Sequence, residues 1–141
     1  MVINDDIELK QILTTIRTVA SVGVSSNEEK PSYWIFHYLK EHGYDMIPVN
    51  PTATEILGLK VYPDLVSIPR KVDVVQIFRK PEDVPPVVDQ AIKIGAKIVW
   101  MQEEVIHEEA AQKAEDAGLK VVMNRCMRQT HLRLLGERFH L

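Results

Sequence analysis

The chain has a single cysteine, Cys126, and no surplus of basic residues. It also has no long apolar run. One cysteine excludes an intrachain disulfide, and points to a reducing compartment. Seventeen Lys and Arg against 20 Asp and Glu give a net charge of −3. That excludes the basic surplus of a general nucleic-acid binder. No hydrophobic run approaches the ~18 residues that suggest a membrane-spanning helix. The opening Met1-Val2-Ile3-Asn4-Asp5-Asp6 turns acidic at once and lacks the basic-then-apolar order of a signal peptide. Together these predict a cytoplasmic protein with no nucleic-acid and no membrane partner. No internal repeat and no linker is visible. At 141 residues, the expected organisation is one domain over residues 1–141. A separate catalytic half does not fit in that length.

What is present is an alternation of β-rich and helical runs. Five runs read as strands: Thr18–Val24, Met46–Asn50, Val72–Phe78, Ala96–Met101 and Leu119–Met123. They are nearly continuous in Val, Ile and Met, the pattern of strands buried on both faces of a mostly parallel sheet. Pro31 suits a first helical position and Gly43 a stop. Pro81-Glu82-Asp83 opens another helix, although Pro85 and Pro86 make its start late or irregular. Residues 107–117 end at Gly118, and helices near 5–16 and 127–136 flank the set. Leu57–Pro63 reads as a turn and a short extended piece, followed by one helical turn at Asp64–Ile68. Strand–helix alternation with right-handed crossovers predicts a three-layer doubly wound α/β fold.

Such sheets bind ligands beyond the carboxyl ends of their strands. After the first run come Gly23, Val24, Ser25, Ser26, Lys30 and a helix opening at Pro31. A glycine, two hydroxyls, one cation and free helical N–H groups suit a polyphosphate. The same residues also suit a tight connection with no ligand. They are neither a dinucleotide fingerprint nor a P-loop, because the other glycines are missing. Asn50-Pro51 stands where an NAD-binding chain places an acid, which argues against NAD. Gly23-Val24-Ser25 imitates half of a hydrolase elbow, but no acid and histidine complete it. Phe78 could cover an adenine ring and Arg79 or Lys80 pair with a phosphate; alternatively Phe78 is core and both cations are solvated. Met101, Gln102 and Glu103 end the fourth run, and Gln102 could bond a ligand amide. Cys126 is either a thiol activated by Arg125 or a helix N-terminus, or a small buried hydrophobe. The five histidines show no metal-ligand spacing, and His37 and His42 read as surface or packing groups. Arg125, Arg128, Arg133 and Arg138 read as a solvated helix face.

Taken in order, Val22-Gly23-Val24-Ser25 with Lys30-Pro31-Ser32, Pro48–Pro51, Val72–Val75 leading to Phe78-Arg79, Val99–Glu103 and Gly118–Cys126 carry a family resemblance. The chain resembles the small stand-alone CoA-binding proteins. Those are similar to the N-terminal CoA-binding domain of the succinyl-CoA synthetase alpha subunit. The resemblance implies a Rossmann-like five-stranded sheet of order 3-2-1-4-5 with coenzyme A across the strand ends. Gly23, Val24 and Ser25 would approach the phosphates and Lys30 would pair with one. Asn50 and Pro51 would line the second loop. Phe78 and Arg79 would flank the adenosine end, and Met101 to Glu103 the pantetheine. Glu104 departs from the pattern, where a glycine is common. The expected function is binding of CoA or an acyl-CoA without independent catalysis. The alternative is a nucleotide- or acyl-CoA-dependent enzyme or redox protein using Cys126.

Overall fold

The computed structural model describes residues 1–141. Its helices are α1 (Asp6–Thr15), α2 (Pro31–Glu41), α3 (Val84–Lys93), α4 (Glu108–Asp116) and α5 (Met127–Leu134). Its strands are β1 (Thr18–Val22), β2 (Asp45–Val49), β3 (Glu55–Ile56), β4 (Leu59–Lys60), β5 (Val74–Ile77), β6 (Ile98–Met101) and β7 (Lys120–Val122). Each of the five β-rich runs contains one strand of a single parallel sheet. The accessible surface is 7534 Å², close to the roughly 7,400 Å² expected of a folded chain of this mass. No helix is long and apolar enough to cross a membrane.

The order within the sheet is β2-β1-β5-β6-β7. In terms of the five runs this is 2-1-3-4-5, not 3-2-1-4-5. The third run lies against β1, with Ser21 opposite Gln76 and Val22 opposite Ile77. The physical reason lies between Pro51 and Val72, a stretch with no helix. Leu65, Ile68 and Val72 are buried in the same core as α3 and α4, so the chain crosses the face opposite α2. That carries it past β1 to the other side. The position outside β2 is taken by one residue, Tyr62. It bridges Val49, donating its N–H to the Pro48 carbonyl and accepting from Asn50 N. At the far side, Ile3 N donates to the Val121 carbonyl at 2.8 Å.

Two cores sandwich the sheet. Ala20, Val22, Val75, Ile77, Val99 and Val121 face α3 and α4. Val19, Val74, Ile98, Trp100 and Val122 face α1, α2 and α5. This strict alternation is the period of two of a pleated strand. The late helix start is realised as a 3-10 turn at Pro81–Asp83 followed by α3, whose first turn holds Pro85 and Pro86. Leu57 and Gly58 form the two-residue turn of the β3–β4 hairpin, both with positive φ. Asp64–Ile68 is a single turn rather than a helix, with Ser67 N bonded to Asp64 Oδ1 and Ile68 N to the Leu65 carbonyl.

Candidate functional site

With this order, the connection after β1 runs to β2 on one side and the connection after β5 runs to β6 on the other. The switch point therefore lies above β1 and β5, where open α/β sheets place their ligands. The loops that follow these two strands touch. Gly23 has φ +91°, and a Cβ built on it would lie 2.2 Å from the Phe78 carbonyl oxygen and 3.3 Å from Arg79 Cδ. Only glycine permits this approach. Gly23 N also donates to the Val49 carbonyl at 2.9 Å. One residue thus gathers the ends of three strands.

The loop beyond it is shaped by its own side chains. Ser25 N donates to Ser32 Oγ at 3.0 Å, Asn27 N to Ser25 Oγ at 3.0 Å, and Glu29 N to Asn27 Oδ1 at 2.9 Å. Asn50 ties the second loop to it: Nδ2 donates to the Val24 carbonyl at 3.0 Å, while Oδ1 accepts from Thr52 N and Thr52 Oγ1. Ser26 and Lys30 are exposed, and Lys30 caps α2 with its backbone alone. Phe78 and Arg79 are half-buried. Arg79 and Pro51 share a cavity of about 130 Å³ with Val22, Val49, Pro63, Asp64 and Leu65. Gly23, Asn50, Pro51, Phe78 and Arg79 therefore border one strand-end region, with Ser25, Ser26 and Lys30 on the loop that leaves Gly23.

Three predicted residues sit differently. The Val24 and Met101 side chains are fully buried, one in each core; only their backbones reach the strand ends. Gln102 is 3% exposed and is a junction inside the molecule. Ser21 Oγ donates to Gln76 Oε1 at 2.9 Å, and Gln76 Nε2 donates to Gln102 Oε1 at 3.0 Å. Gln102 Oε1 also accepts from Met127 N, the first residue of α5, at 3.0 Å. This buried chain links β1, β5, β6 and the start of α5. A strand whose other inward positions are aliphatic gives little warning of it, except for the polar interruptions Ser21 and Gln76.

Glu103 is exposed beside a cavity of about 270 Å³ that it shares with Asn124, Arg125, Cys126, Gln129, Thr130 and Arg133. Cys126 is half-buried at the N-cap of α5, less enclosed than a core hydrophobe. Glu104 has φ +70°, the left-handed conformation that favours glycine. Its N–H is held at 2.7 Å by Oδ1 of Asn124, itself at φ +58°. The place where a glycine was expected does have glycine geometry.

Sequence reading missed a buried polar cluster between α2, α5 and the C-terminal segment. His131 is fully buried, with Nδ1 2.7 Å from the Tyr38 hydroxyl. Burial, and then the neighbouring His42 and His140, push its pKa down to about 4. The neutral ring shares a hydrogen bond with the Tyr38 hydroxyl through Nδ1, and its Nε2 has no partner. His42 stacks on Tyr38 with centroids 3.9 Å apart. Its Nδ1 is 2.6 Å from the Tyr38 carbonyl and its Nε2 2.8 Å from the Glu137 carbonyl. His42 and His131 are thus packing groups of a kind that spacing does not reveal. Of the arginines, Arg133 pairs with Asp6 at 2.9 Å and Arg125 with Asn4. Arg128 lies half-buried over the Tyr38 ring, 5.3 Å from its centroid.

Known proteins resemble the whole chain. It is 34% identical over 124 residues to the uncharacterized protein YneT of Bacillus subtilis, covering 88% of this chain and 92% of that one. A hypothetical protein from Pyrococcus horikoshii has a solved structure that superposes with a TM-score of 0.92. It is 47% identical, and 94% of each chain is covered. ADP-forming acetate–CoA ligase II of Archaeoglobus fulgidus is 35% identical over 101 residues, 70% of this chain but 15% of the ligase. Residues 17–131 match the model of the CoA binding domain. That span runs from β1 into α5 and includes every strand-end loop described above, and the chain belongs to the CoA binding domain family.

Proposed function

We propose that the strand-end region binds coenzyme A or an acyl-CoA without independent catalysis. The observation that carries this reading is the convergence of the Gly23–Lys30, Asn50–Pro51 and Phe78–Arg79 segments at the β1/β5 switch point, in a chain of the CoA binding domain family. In this reading the backbone of Gly23, Val24 and Ser25, together with Ser26, faces the phosphates. Lys30 and Arg79 neutralise them. Pro51 and Phe78 border the adenosine, and the backbone around Met101, Gln102 and Glu103 follows the pantetheine. Gln102 acts by holding the start of α5 rather than by bonding the ligand through Oε1, since that atom already accepts two hydrogen bonds.

Calorimetry with CoA and with NAD tests the reading. CoA should bind and NAD should not. CoA affinity should fall with added salt, because Lys30 is exposed and Arg79 only half-buried. Absence of CoA binding would overturn the function. Unchanged affinity in the Lys30→Ala, Arg79→Ala double variant would overturn the site. The alternative, an enzyme or redox protein using Cys126, is favoured only by the position of that thiol in a cavity beside Arg125 and Arg133. Thiol alkylation rates with and without CoA separate the two readings: slow alkylation that CoA leaves unchanged removes the alternative.

A further inference from the structure

A second cavity, of about 410 Å³, opens between α2 and α5 and is lined by Trp34, His37, Tyr38, Glu41, His42 and Arg128. None of these residues belongs to the strand-end region. Three features set it apart from an ordinary groove between helices.

Its walls are rigid and aromatic. The Trp34 indole is 45% exposed, yet its Nε1 donates to the Glu28 carbonyl at 2.7 Å, which fixes the ring. His37 lies against it with centroids 5.4 Å apart. Tyr38 is held by His131 at its hydroxyl and by the stacked His42 at its face. Ligands bind more tightly to groups that need no ordering.

Its cation is unspent. Arg128 takes part in none of the chain's ion pairs, and its Nε is buried with no hydrogen-bond partner. The guanidinium carbon lies 5.3 Å from the Tyr38 ring centroid, and with Nε buried it is the two terminal nitrogens that offer parallel donors to an acceptor.

Its charge is balanced. Glu41 lines the same cavity. One carboxylate beside one guanidinium disfavours a dianion and tolerates a monoanion. A planar fork prefers a carboxylate, which it can bind through two parallel hydrogen bonds.

The geometry points to a second ligand site, between α2 and α5, for a small aromatic or similarly planar monocarboxylate. Its carboxylate pairs with Arg128 and its ring lies against the exposed Trp34 indole, while Tyr38, covered by His42 and Arg128, serves as the support beneath the guanidinium. This site is independent of the CoA reading.

Trp34 supplies the readout, since the other tryptophan, Trp100, is fully buried. Benzoate titrated into the full chain should change Trp34 emission saturably. Benzamide, of nearly the same shape but uncharged, should bind about tenfold more weakly or worse, as should benzoate to Arg128→Gln; this is the scale of losing a charge-assisted pair. Should Arg128→Gln fail to fold, Glu41→Gln on the exposed surface serves instead, and it should bind benzoate more tightly than the parent. Trp34→Phe should abolish the emission change, while calorimetry with the same variant should still detect weakened benzoate binding. Any of three results overturns the site: quenching that rises linearly without saturation, equal affinity for benzoate and benzamide, or an affinity that Arg128→Gln and Glu41→Gln both leave unchanged.

Discussion

The Phe78 carbonyl oxygen fills the space that a methyl group on Gly23 would need, 2.2 Å from the position of its Cβ. Neither partner can yield easily, because Phe78 N is bonded to the Val22 carbonyl at 2.8 Å and Gly23 N to Val49. Gly23→Ala adds left-handed strain to a clash with backbone. It should cost about 3 kcal/mol of stability and loosen the region proposed for CoA. Urea denaturation measures the first effect and calorimetry the second. A loss of under about 1 kcal/mol would contradict the close approach.

Gln102 satisfies two buried donors at once, Gln76 Nε2 and Met127 N. Gln102→Met keeps the volume and orphans both, which should cost about 2–4 kcal/mol. Adding Gln76→Met removes one orphan, so the double variant should be less destabilised than the sum of the singles. Additive losses would mean that the two amides act separately.

His131 is neutral in the folded state, with a pKa pushed down to about 4 from the ordinary 6.5. The unfolded chain takes up this proton first as the pH falls. The stability tied to the neutral ring is therefore complete above about pH 6.5, erodes between 6.5 and 4, and is gone below. The amount at stake is about 3 kcal/mol. His131→Gln should be less stable than the parent at pH 7.5, and its stability should change less between pH 6.5 and 4.5. Parallel pH profiles for the two proteins would refute the assignment.

Glu104 occupies a left-handed conformation at φ +70°. Glycine adopts it without the Cβ penalty but loses more entropy on folding. Glu104→Gly should therefore be neutral to stabilising, by up to about 1 kcal/mol. A clear loss in thermal unfolding would show that the Glu104 side chain contributes a contact of its own.

Much of this architecture is readable from local sequence. Continuous Val and Ile runs mark all five strands of the sheet, because burial on both faces leaves little room for polar residues. Pro31 and Gly43 bracket α2 because proline and glycine have fixed roles at helix ends. What escapes is decided by partners distant in the chain. The strand order depends on which core receives Leu65 and Ile68, and an apolar residue alone does not say which face of a sheet it covers. Gln102 looks like a ligand contact at a strand end; its true partners lie 26 residues before it and 25 after it. His42 is left open between surface and packing, and His131 carries no signal beyond the lack of metal-ligand spacing, until α2 and α5 bring the two rings to within 5.0 Å. The resemblance carried the family correctly, while the order of the third run had to come from the packing of the helix-free crossing.

The bridge from Tyr62 to Val49 and the bond from Ile3 to Val121 have a consequence for assembly. An open sheet normally offers its two outermost strands as templates on which another chain can add a strand. Here β2 is already engaged along its outer side at Pro48 and Asn50, and β7 is three residues long with Val121 occupied. Little main chain remains to template a sixth strand. Copies of this protein are thus disfavoured from joining their five-stranded sheets edge to edge.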